Sequence, residues 1–336
     1  MSLTHLVIRV PLRVSFCGGG TDLKDFYMTH GGAVVFTNIA KYVHITIVPR
    51  EDEEIMLRDI DFGVEKTYSY NDIPHFDSVF DLAKATIQFL AIKRGMEITI
   101  KSDVAPGSGL GTSSAITIGL LKGLIEMFNL SIPNYSKHLA EMAYTVEREI
   151  MNCHGGIQDY YAAAFKGINI LECTSKHINV RSLNMRESFM NDLQMHLMLC
   201  YSGESHYASN MTDEILNNKN HTDVLLRIKE LVYDFQLAWE EENLQKIAYL
   251  MTRSMWLKQD LSETVVTPKI RHLYDEAMHE GALGGRLLGA GGGGYLLFLT
   301  PFKQQQKVKE VLRGLGGYPE PFIFDLEGIK IWKSRV

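Results

Sequence analysis

The segment PGSGLGTSSA, residues 106–115, constrains the fold of this chain more than any other stretch. It follows the alternating run MEITIKS (96–102), which predicts a half-buried strand, and leads into SAITIGLLKGLIEMFN (114–129), which predicts a buried helix. Glycine at every second position from 107 to 111 leaves the connecting turn with few side chains. A helix N-terminus exposed by bare backbone has free N–H groups and a partial positive charge, so the segment predicts a phosphate-binding loop.

The hydroxyl groups at the end of this loop strengthen that prediction. They fall in the first predicted helical turn, where they can bond a phosphate oxygen or Mg²⁺. A plain turn with a capping residue would explain one glycine and one hydroxyl, not three of each. The loop lacks the Gly-Lys-Ser/Thr ending of a Walker A motif, and the sequence shows no protein-kinase signature. The predicted phosphate-binding residues are Pro106, Gly107, Ser108, Gly109, Leu110, Gly111, Thr112, Ser113 and Ser114.

A second glycine loop, GAGGGG (289–294), fits the G-x-G-x-x-G pattern of dinucleotide-binding turns. That pattern requires a helix after the turn, whereas here the strand-like run YLLFLT (295–300) follows. An NAD-dependent oxidoreductase, which would rest on these glycines alone, is therefore disfavoured. A turn that brings backbone against the opposite lobe or a ligand fits the context better, and a plain flexible turn is the alternative.

A third loop lies in RVSFCGGGTD (13–22), where three glycines, residues 18–20, precede Thr21 and Asp22. Consecutive glycines cost backbone entropy, so their presence indicates a close approach to the chain. Arg13 and Asp22 beside bare backbone suit a polyhydroxyl ligand such as a sugar. The alternative for Asp22 is the ordinary acidic residue of a helix N-terminus.

Acidic residues in VEREIMNCHGGIQDYYAAAF (146–165) carry the remaining candidate chemistry. Asp159 follows a glycine pair (155–156) at the start of a helix of small residues, a position that suits a general base. Glu147 ends the preceding predicted helix and, with a hydroxyl of the phosphate loop, offers the hard oxygen ligands that Mg²⁺ prefers. The alternatives are a solvated helix end for the glutamate and a helix cap for Asp159.

Apolar spacing predicts mixed helix and strand along the whole chain. The predicted strands are 5–16, 42–48, 96–102, 195–202 and 295–300. The predicted helices are 79–95, 114–129, 135–150, 206–218, 223–242, 244–260, 268–280 and 303–315. The pattern predicts an α+β fold of two lobes, with a small-molecule site in the cleft between them. The polar stretch 183–194 is the best boundary, which gives domains of 1–185 and 186–336.

Composition excludes several classes of function. A chain of 336 residues with 46% hydrophobic and 22% charged residues is ordinary for a globular protein of about two domains. A net charge of -6 disfavours a nucleic-acid partner, and no apolar run approaches the length of a membrane span. The four cysteines match neither a zinc site nor a disulfide framework, and no signal peptide is evident. We therefore expect a cytoplasmic protein without a membrane partner.

Together the three glycine loops resemble the motifs of the GHMP small-molecule kinases, the group of galactokinase, homoserine kinase and mevalonate kinase. PGSGLGTSSA resembles the central phosphate loop, VPLRVSFCGGGTD the N-terminal motif, and GALGGRLLGAGGGGYLLFL (281–299) the C-terminal motif. They occur in the family's order across nearly the whole chain. The resemblance implies an N-terminal α/β lobe, a C-terminal ferredoxin-like lobe, and ATP and substrate in the cleft between them.

The resemblance also implies roles for individual residues. Ser113 matches the hydroxyl that coordinates Mg²⁺, and Glu147 matches its partner carboxylate, with Glu149 as the alternative. Asp159 resembles the proposed catalytic base, and Arg13 the residue that orients the acceptor hydroxyl. The residues expected to contact substrate are Gly18, Gly19, Gly20, Thr21, Asp22, Gly156, Gly291 and Gly292.

The substrate expectation rests on a departure from the galactokinase motif. Galactokinases carry Gly-Glu-His-Thr-Asp where Gly18-Gly19-Gly20-Thr21-Asp22 stands here. FCGGGTDL with GGIQDYYAAAFKGINIL resembles the branch that phosphorylates the anomeric (C1) hydroxyl of D-glycero-D-manno-heptose 7-phosphate. The alternatives are a fucokinase-like or other sugar 1-kinase and a sugar sensor without catalysis. Lys41, Lys101 and Arg148 are open candidates for a substrate phosphate, and a homo-oligomer is an open option.

Overall fold

The structure is a computed structural model that describes residues 4–71, 73, 76, 78–133, 135–205 and 221–335. The strands are β1 (Thr4–Cys17), β2 (Gly32–Pro49), β3 (Glu54–Asp59), β4 (Val64–Ser69), β5 (Met96–Ser102), β6 (Ile168–Cys173), β7 (Ile178–Ser182), β8 (Leu197–Tyr201), β9 (Gly284–Leu287), β10 (Tyr295–Leu299), β11 (Tyr318–Pro321) and β12 (Lys330–Arg335). The α-helices are α1 (Lys24–His30), α2 (Asp81–Phe89), α3 (Thr112–Met127), α4 (Ser136–Tyr144), α5 (Gln158–Ala164), α6 (Glu187–His196), α7 (His221–Glu240), α8 (Leu244–Gln259), α9 (Pro268–His279) and α10 (Gln305–Gly314). A π-helical turn spans Thr145–Ile150, and a 3₁₀ turn spans Phe302–Gln304.

The first sheet is organised around two long antiparallel strands, β1 and β2. The first half of β2 pairs with β6 and its second half with β5, while β12 adds to the outer edge of β1. The apolar run 5–16 forms part of one continuous strand, and its register shifts between Pro11 and Leu12. Proline cannot donate to a ladder hydrogen bond, which accounts for an irregularity there.

Helix α3 packs on β1 and β2, and two glycines bring it close. A Cβ on Gly119 would lie 2.8 Å from Cδ1 of Ile45, and one on Gly123 would lie 2.7 Å from Cδ1 of Ile8. Glycines four residues apart share one face of a helix, so this face of α3 fits directly against the sheet. The packing fixes the position of the N-terminus of α3, where the phosphate loop ends.

The second sheet has the order β11-β8-β10-β9, and all its pairs are antiparallel. Helices connect β8 to β9 and β10 to β11, three of them among the described residues of the first connection and one α-helix in the second. With this strand order, they give the ferredoxin-like arrangement. Helix α7 bridges the two sheets: Phe235 of α7 stacks on Phe16 of β1 with ring centroids 5.4 Å apart. The predicted two-lobed α+β fold is confirmed.

Several elements differ from the sequence prediction. The polar stretch proposed as the boundary carries α6, because Phe189 and Leu193 give it a buried face. The domain limits 1–185 and 186–336 stay a prediction, and the strand β12 (Lys330–Arg335) lies in the first sheet rather than the second. The predicted helix 206–218 lies outside the described residues.

The predicted helix 135–150 divides into α4 and the π-helical turn 145–150. A π-helical turn is wider than an α-helical one and often occurs at functional sites. Here the turn carries Glu147, which is 4% exposed. Among the residues described above, no helix is both long and apolar enough to cross a lipid bilayer.

Candidate active site

The three glycine loops surround one cavity of about 620 Å³. Its wall combines the phosphate loop with residues of β1, α5 and α8. Of the residues predicted from the sequence, those that line it are Arg13, Gly20, Asp22, Pro106, Gly107, Ser108, Gly109, Gly111, Thr112, Ser113, Gly156, Asp159 and Gly291. The three loops, far apart in the sequence, therefore converge on one cavity.

The phosphate loop needs its glycines for conformation as well as for space. Gly107, Gly109 and Gly111 have φ of +71°, +80° and +78°, in the left-handed region that favours glycine. Gly111 is the N-cap of α3, so the loop ends at the exposed N–H groups of that helix. Leu110 and Ser114 are buried and do not line the cavity, and their positions suit support of the loop rather than direct ligand contact.

Two hydroxyl groups in this wall lack partners. Ser108 Oγ and Thr112 Oγ1 are buried and make no hydrogen bond within the described part of the chain. A buried polar group without a partner costs about 1–3 kcal/mol. Oxygen atoms of a bound phosphate would satisfy both groups, so the loop fits the nucleotide phosphates that the sequence predicts.

Ser113 and Glu147 form a hydrogen-bonded pair beside the loop. Ser113 Oγ donates to Glu147 Oε2 at 2.7 Å, and Thr117 donates to Oε1 at 2.8 Å. Burial raises the pKa of Glu147 above its ordinary value, and the two hydroxyl donors oppose that rise. Glu149, the alternative, is exposed and makes no such contact.

This pair suits the predicted magnesium ion. Both residues offer hard oxygen ligands, and Mg²⁺ is usually held by one or two protein groups together with substrate phosphates and water. The described residues contain no cluster of three or more His, Cys, Asp or Glu that could hold a metal by itself. Ser113 and Glu147 would therefore share the ion with the phosphates of the nucleotide.

Arg13 and Asp159 meet in a bidentate ion pair. Arg13 Nε donates to Asp159 Oδ1 and Nη2 donates to Oδ2, both at 2.8 Å. Arg13 Nη1 also donates to the carbonyl oxygen of Gly109 at 2.5 Å. The guanidinium is almost fully buried, whereas the side chain of Asp159 keeps 28% of its exposure. The pair therefore fixes the carboxylate against the phosphate loop while leaving it open to the cavity.

Asp22 caps α5 rather than its own following helix. Its Oδ2 accepts from Gln158 N at 2.9 Å, and its Oδ1 accepts from Gly20 N at 3.0 Å. Burial raises the pKa of Asp22, and Asp159 raises it further, while the backbone donors oppose the rise. A Cβ on Gly156 would lie 1.9 Å from Oδ2, which explains the glycine at that position.

Four predicted substrate residues do not line the cavity: Gly18, Gly19, Thr21 and Gly292. A Cβ on Gly18 would lie 2.1 Å from the carbonyl oxygen of Ala33, so protein backbone fills the space that a sugar was expected to take. Thr21 Oγ1 accepts from Ala33 N at 3.0 Å and lies 2.8 Å from Ala33 O. Gly292 N donates to Val265 O at 2.8 Å. Gly18, Thr21 and Gly292 therefore hold the loops in shape.

Of the three open cations, Arg148 alone lines the cavity. Its Nη2 donates to the carbonyl oxygen of Gly156 at 3.3 Å. Lys41 pairs with Glu320 at 2.6 Å away from the cavity, and Lys101 is an exposed residue of β5.

The sequence reading missed Lys258. It is 6% exposed, and its Nζ donates to the carbonyl oxygen of Gly289 at 2.5 Å in the cavity wall. Burial, together with the nearby Arg286, lowers the pKa of Lys258 to about 7. The sequence carries a pattern that could have pointed to it: Lys258 follows Met251 and Met255 at spacings of seven and three, which places it on the apolar face of α8.

Comparison with known proteins identifies the family. The family models for the N terminal and C terminal domains of GHMP kinases match residues 78–167 and 237–317, together about half of the chain. The chain belongs to the GHMP kinase family. The predictions of a sugar kinase and of ATP as a ligand are confirmed at that level.

Similar proteins include several GHMP kinases. The D-glycero-alpha-D-manno-heptose 7-phosphate kinase of Campylobacter jejuni is 28% identical over 97% of this chain and 98% of that protein. The L-fucokinase/L-fucose-1-P guanylyltransferase of Bacteroides fragilis is 25% identical over 90% of this chain but only 35% of its own length. The crystal structure of a D-glycero-D-manno-heptose 1-phosphate kinase from Bacteroides thetaiotaomicron has a TM-score of 0.82 and 25% identity, and covers 98% of this chain and 100% of that one.

Proposed function

We propose that this GHMP kinase transfers the γ-phosphoryl group of ATP to the anomeric C1 hydroxyl of D-glycero-D-manno-heptose 7-phosphate, forming the 1,7-bisphosphate. One observation supports the transfer most directly. The carboxylate of Asp159, held by Arg13, opens into the same cavity as the phosphate loop. A general base and a phosphate site that share one cavity are what direct transfer to a hydroxyl requires.

The phosphate loop binds and orients the nucleotide. The N–H groups at the start of α3 and the hydroxyls of Ser108 and Thr112 bond phosphate oxygens. When bound, Mg²⁺ neutralises charge on those oxygens, with Ser113 and Glu147 as its protein ligands. Positioning and charge neutralisation carry most of the catalysis of phosphoryl transfer.

Asp159 accepts the proton of the acceptor hydroxyl as the bond from that oxygen to the γ-phosphorus forms and the bond to the β-phosphate oxygen breaks. Arg13 keeps the carboxylate in place through two parallel hydrogen bonds. The reaction therefore needs no covalent intermediate on the protein.

The acceptor sugar lies on the side of Asp22, Gly20 and Gly156. Each carboxylate oxygen of Asp22 already accepts one backbone hydrogen bond and keeps capacity for a sugar hydroxyl. Arg148 offers a cation on the same wall for a phosphate that the sugar already carries.

A fucokinase-like activity is the second candidate, and the similarity to the Bacteroides fragilis protein favours it. The Ser113–Glu147 and Arg13–Asp159 pairs argue against a sensor without catalysis.

A substrate panel tests the proposal. The protein is incubated with Mg-ATP and heptose 7-phosphate, fucose, galactose or mannose, and ADP release is followed by a coupled assay. We expect the highest kcat/KM with heptose 7-phosphate, and ³¹P–¹H coupling in the product should place the new phosphate on C1. A higher kcat/KM with fucose would favour the second candidate. One heptose relative is named a 7-phosphate kinase and the other a 1-phosphate kinase, so the two names differ in the carbon that carries the phosphate. The carbon to which the new phosphate is transferred is therefore the decisive measurement.

A further inference from the structure

Lys258 brings a buried positive charge from the second lobe into the cavity. It lies near the C-terminal end of α8, a helix that packs on β9 of the second sheet. Its Nζ donates to the carbonyl oxygen of Gly289, in the second glycine loop (289–294). No function described so far uses this amine.

The hydrogen bonding of the amine is incomplete. An ammonium group has three N–H donors, and Gly289 accepts from one of them. Throughout the described residues, no carboxylate oxygen lies within ion-pair distance of Lys258 Nζ. Arg286 of β9 is 1% exposed and adds a second buried positive charge nearby. Buried charges without a close counter-ion are costly, so this arrangement suits an anion supplied by a ligand.

The contacts of Gly289 show which ligand lies within reach. A Cβ on Gly289 would come within 2.5 Å of the Cα of Gly109, so the second glycine loop and the phosphate loop are in contact. The carbonyl oxygen of Gly109 accepts from Arg13, which holds Asp159. Lys258 therefore borders the place where the phosphate loop meets the catalytic pair.

We propose that Lys258 binds the terminal phosphate of ATP and stays on it during transfer. The second lobe then takes part in the reaction through α8 as well as through its glycine loop. Lys258 forms no covalent bond and keeps its proton, since the proton of the acceptor hydroxyl goes to Asp159. This inference depends on the proposed function only in that ATP is the nucleotide; it does not depend on which sugar is the acceptor.

Nucleotide binding without any sugar tests this assignment. The affinity of Lys258→Met for Mg-ADP and for the non-hydrolysable analogue Mg-AMP-PNP is measured by titration calorimetry at pH 6.5. A charge-assisted hydrogen bond lost from the terminal phosphate should weaken AMP-PNP about 10-fold to 100-fold and leave ADP within about twofold. Lys246→Met, on the same helix but partly exposed and paired with Glu241, is the matched control and should change neither.

The pH dependence of the unmodified protein gives an independent measurement. Four charged groups act on Lys258: Arg13 of β1, Asp22 of the turn after it, Asp159 of α5 and Arg286 of β9. Burial lowers the pKa of Lys258 to about 7, so the free protein loses most of this charge as the pH rises from 6 to 8. The preference for AMP-PNP over ADP should fall across that range, and in Lys258→Met it should be flat.

Three results would overturn the assignment. Equal weakening of ADP and AMP-PNP in Lys258→Met would indicate a general effect on the loops. Unchanged binding of both would remove the amine from the nucleotide. In a separate titration, weaker binding of heptose 7-phosphate to Lys258→Met, with both nucleotides unchanged, would place the amine on the acceptor's phosphate instead. A wrong acceptor would leave the nucleotide measurements intact, so failure of the proposed function is distinguishable from failure of this inference.

Discussion

The guanidinium of Arg13 and the carboxylate of Asp159 are joined by two parallel hydrogen bonds of 2.8 Å, although the residues are 146 positions apart in the chain. The bond connects β1 to α5 and sets the base beside the phosphate loop. If Asp159 is the general base, removing its charge should affect turnover far more than nucleotide binding.

Asp159→Asn keeps the shape of the side chain and one acceptor for Arg13 but removes the base. We expect kcat to fall by about 10²-fold to 10⁴-fold, with the affinity for AMP-PNP little changed. Steady-state kinetics and calorimetry measure the two quantities. Asp25→Asn, an exposed change in α1, is the control and should have no effect on either. Turnover near that of the unmodified protein would remove Asp159 from the role of base.

Glu147→Gln tests the magnesium site. The amide keeps the size of the side chain but is a poorer ligand for a hard cation, so the Mg²⁺ concentration for half-maximal activity should rise about 10-fold or more. Glu149→Gln, two positions away and exposed, is the matched control. If Glu149→Gln raised the required Mg²⁺ concentration more than Glu147→Gln does, the metal assignment would move to Glu149.

The pH dependence of the same site has a defined sign. Burial raises the pKa of Glu147, so on acidification its carboxylate takes up a proton earlier than an ordinary glutamate does. A protonated carboxyl is a weak Mg²⁺ ligand, so activity should fall as the pH is lowered and excess Mg²⁺ should restore part of it. Measuring activity against pH at low and high Mg²⁺ checks this. An acid limb unaffected by Mg²⁺ would speak against the assignment.

Gly289→Ala should push the second glycine loop (289–294) away from the phosphate loop. The new Cβ would lie 2.5 Å from the Cα of Gly109, and φ at Gly289 is +68°, which strains alanine. We expect weaker nucleotide binding and a Tm lower by several degrees. In Gly314→Ala the added Cβ meets nothing within 4 Å, so binding should not change. Unaltered nucleotide affinity in Gly289→Ala would show that loop contact is dispensable.

Lys258→Met should stabilise the fold while impairing function. The pKa of Lys258 falls from an ordinary 10.5 to about 7 in the folded protein. Between pH 7 and 10.5 the unfolded chain binds more protons than the folded one, so the free energy of unfolding of the unmodified protein rises with pH. Below pH 7 Lys258 is charged in both states, and its burial then destabilises the fold by the full amount. The Tm of the variant should therefore exceed that of the unmodified protein most at pH 6 and less at pH 9. Differential scanning fluorimetry measures both, and a lower Tm of the variant at pH 6 would contradict the expectation.

Local patterns predicted the elements that carry the site. The turn at 106–111 and the buried helix after it follow from glycine spacing and apolar periodicity. The glycine pair before Asp159 indicates a candidate base there, whereas the metal role of Ser113 comes from the resemblance to GHMP kinases. The sequence leaves Glu147 and Glu149 as alternatives, and the structure shows that Glu147 is the buried one, bonded to Ser113. The wider π-helical turn at 145–150 changes which of two nearby residues faces the protein interior. The spacing of apolar residues in an α-helix does not predict such a turn.

The role of the triple glycine was predicted only in part. Glycine spacing indicates a close approach but does not say whether backbone or ligand makes it. At Gly18 the neighbour is the carbonyl of Ala33 on β2, a contact that depends on sheet pairing between distant segments. Lys258 was missed for a similar reason, because the importance of its charge depends on loops from the other lobe.

The edge strand β12 has a consequence for biosynthesis. It pairs residue by residue with β1, from Arg9 opposite Lys330 to Thr4 opposite Arg335, on the strand that also carries Arg13. A nascent chain cannot fill that edge until translation has passed the whole second lobe. We expect one edge of β1 to stay unpaired and open to chaperones until β12, which follows the second lobe in the chain, has been made.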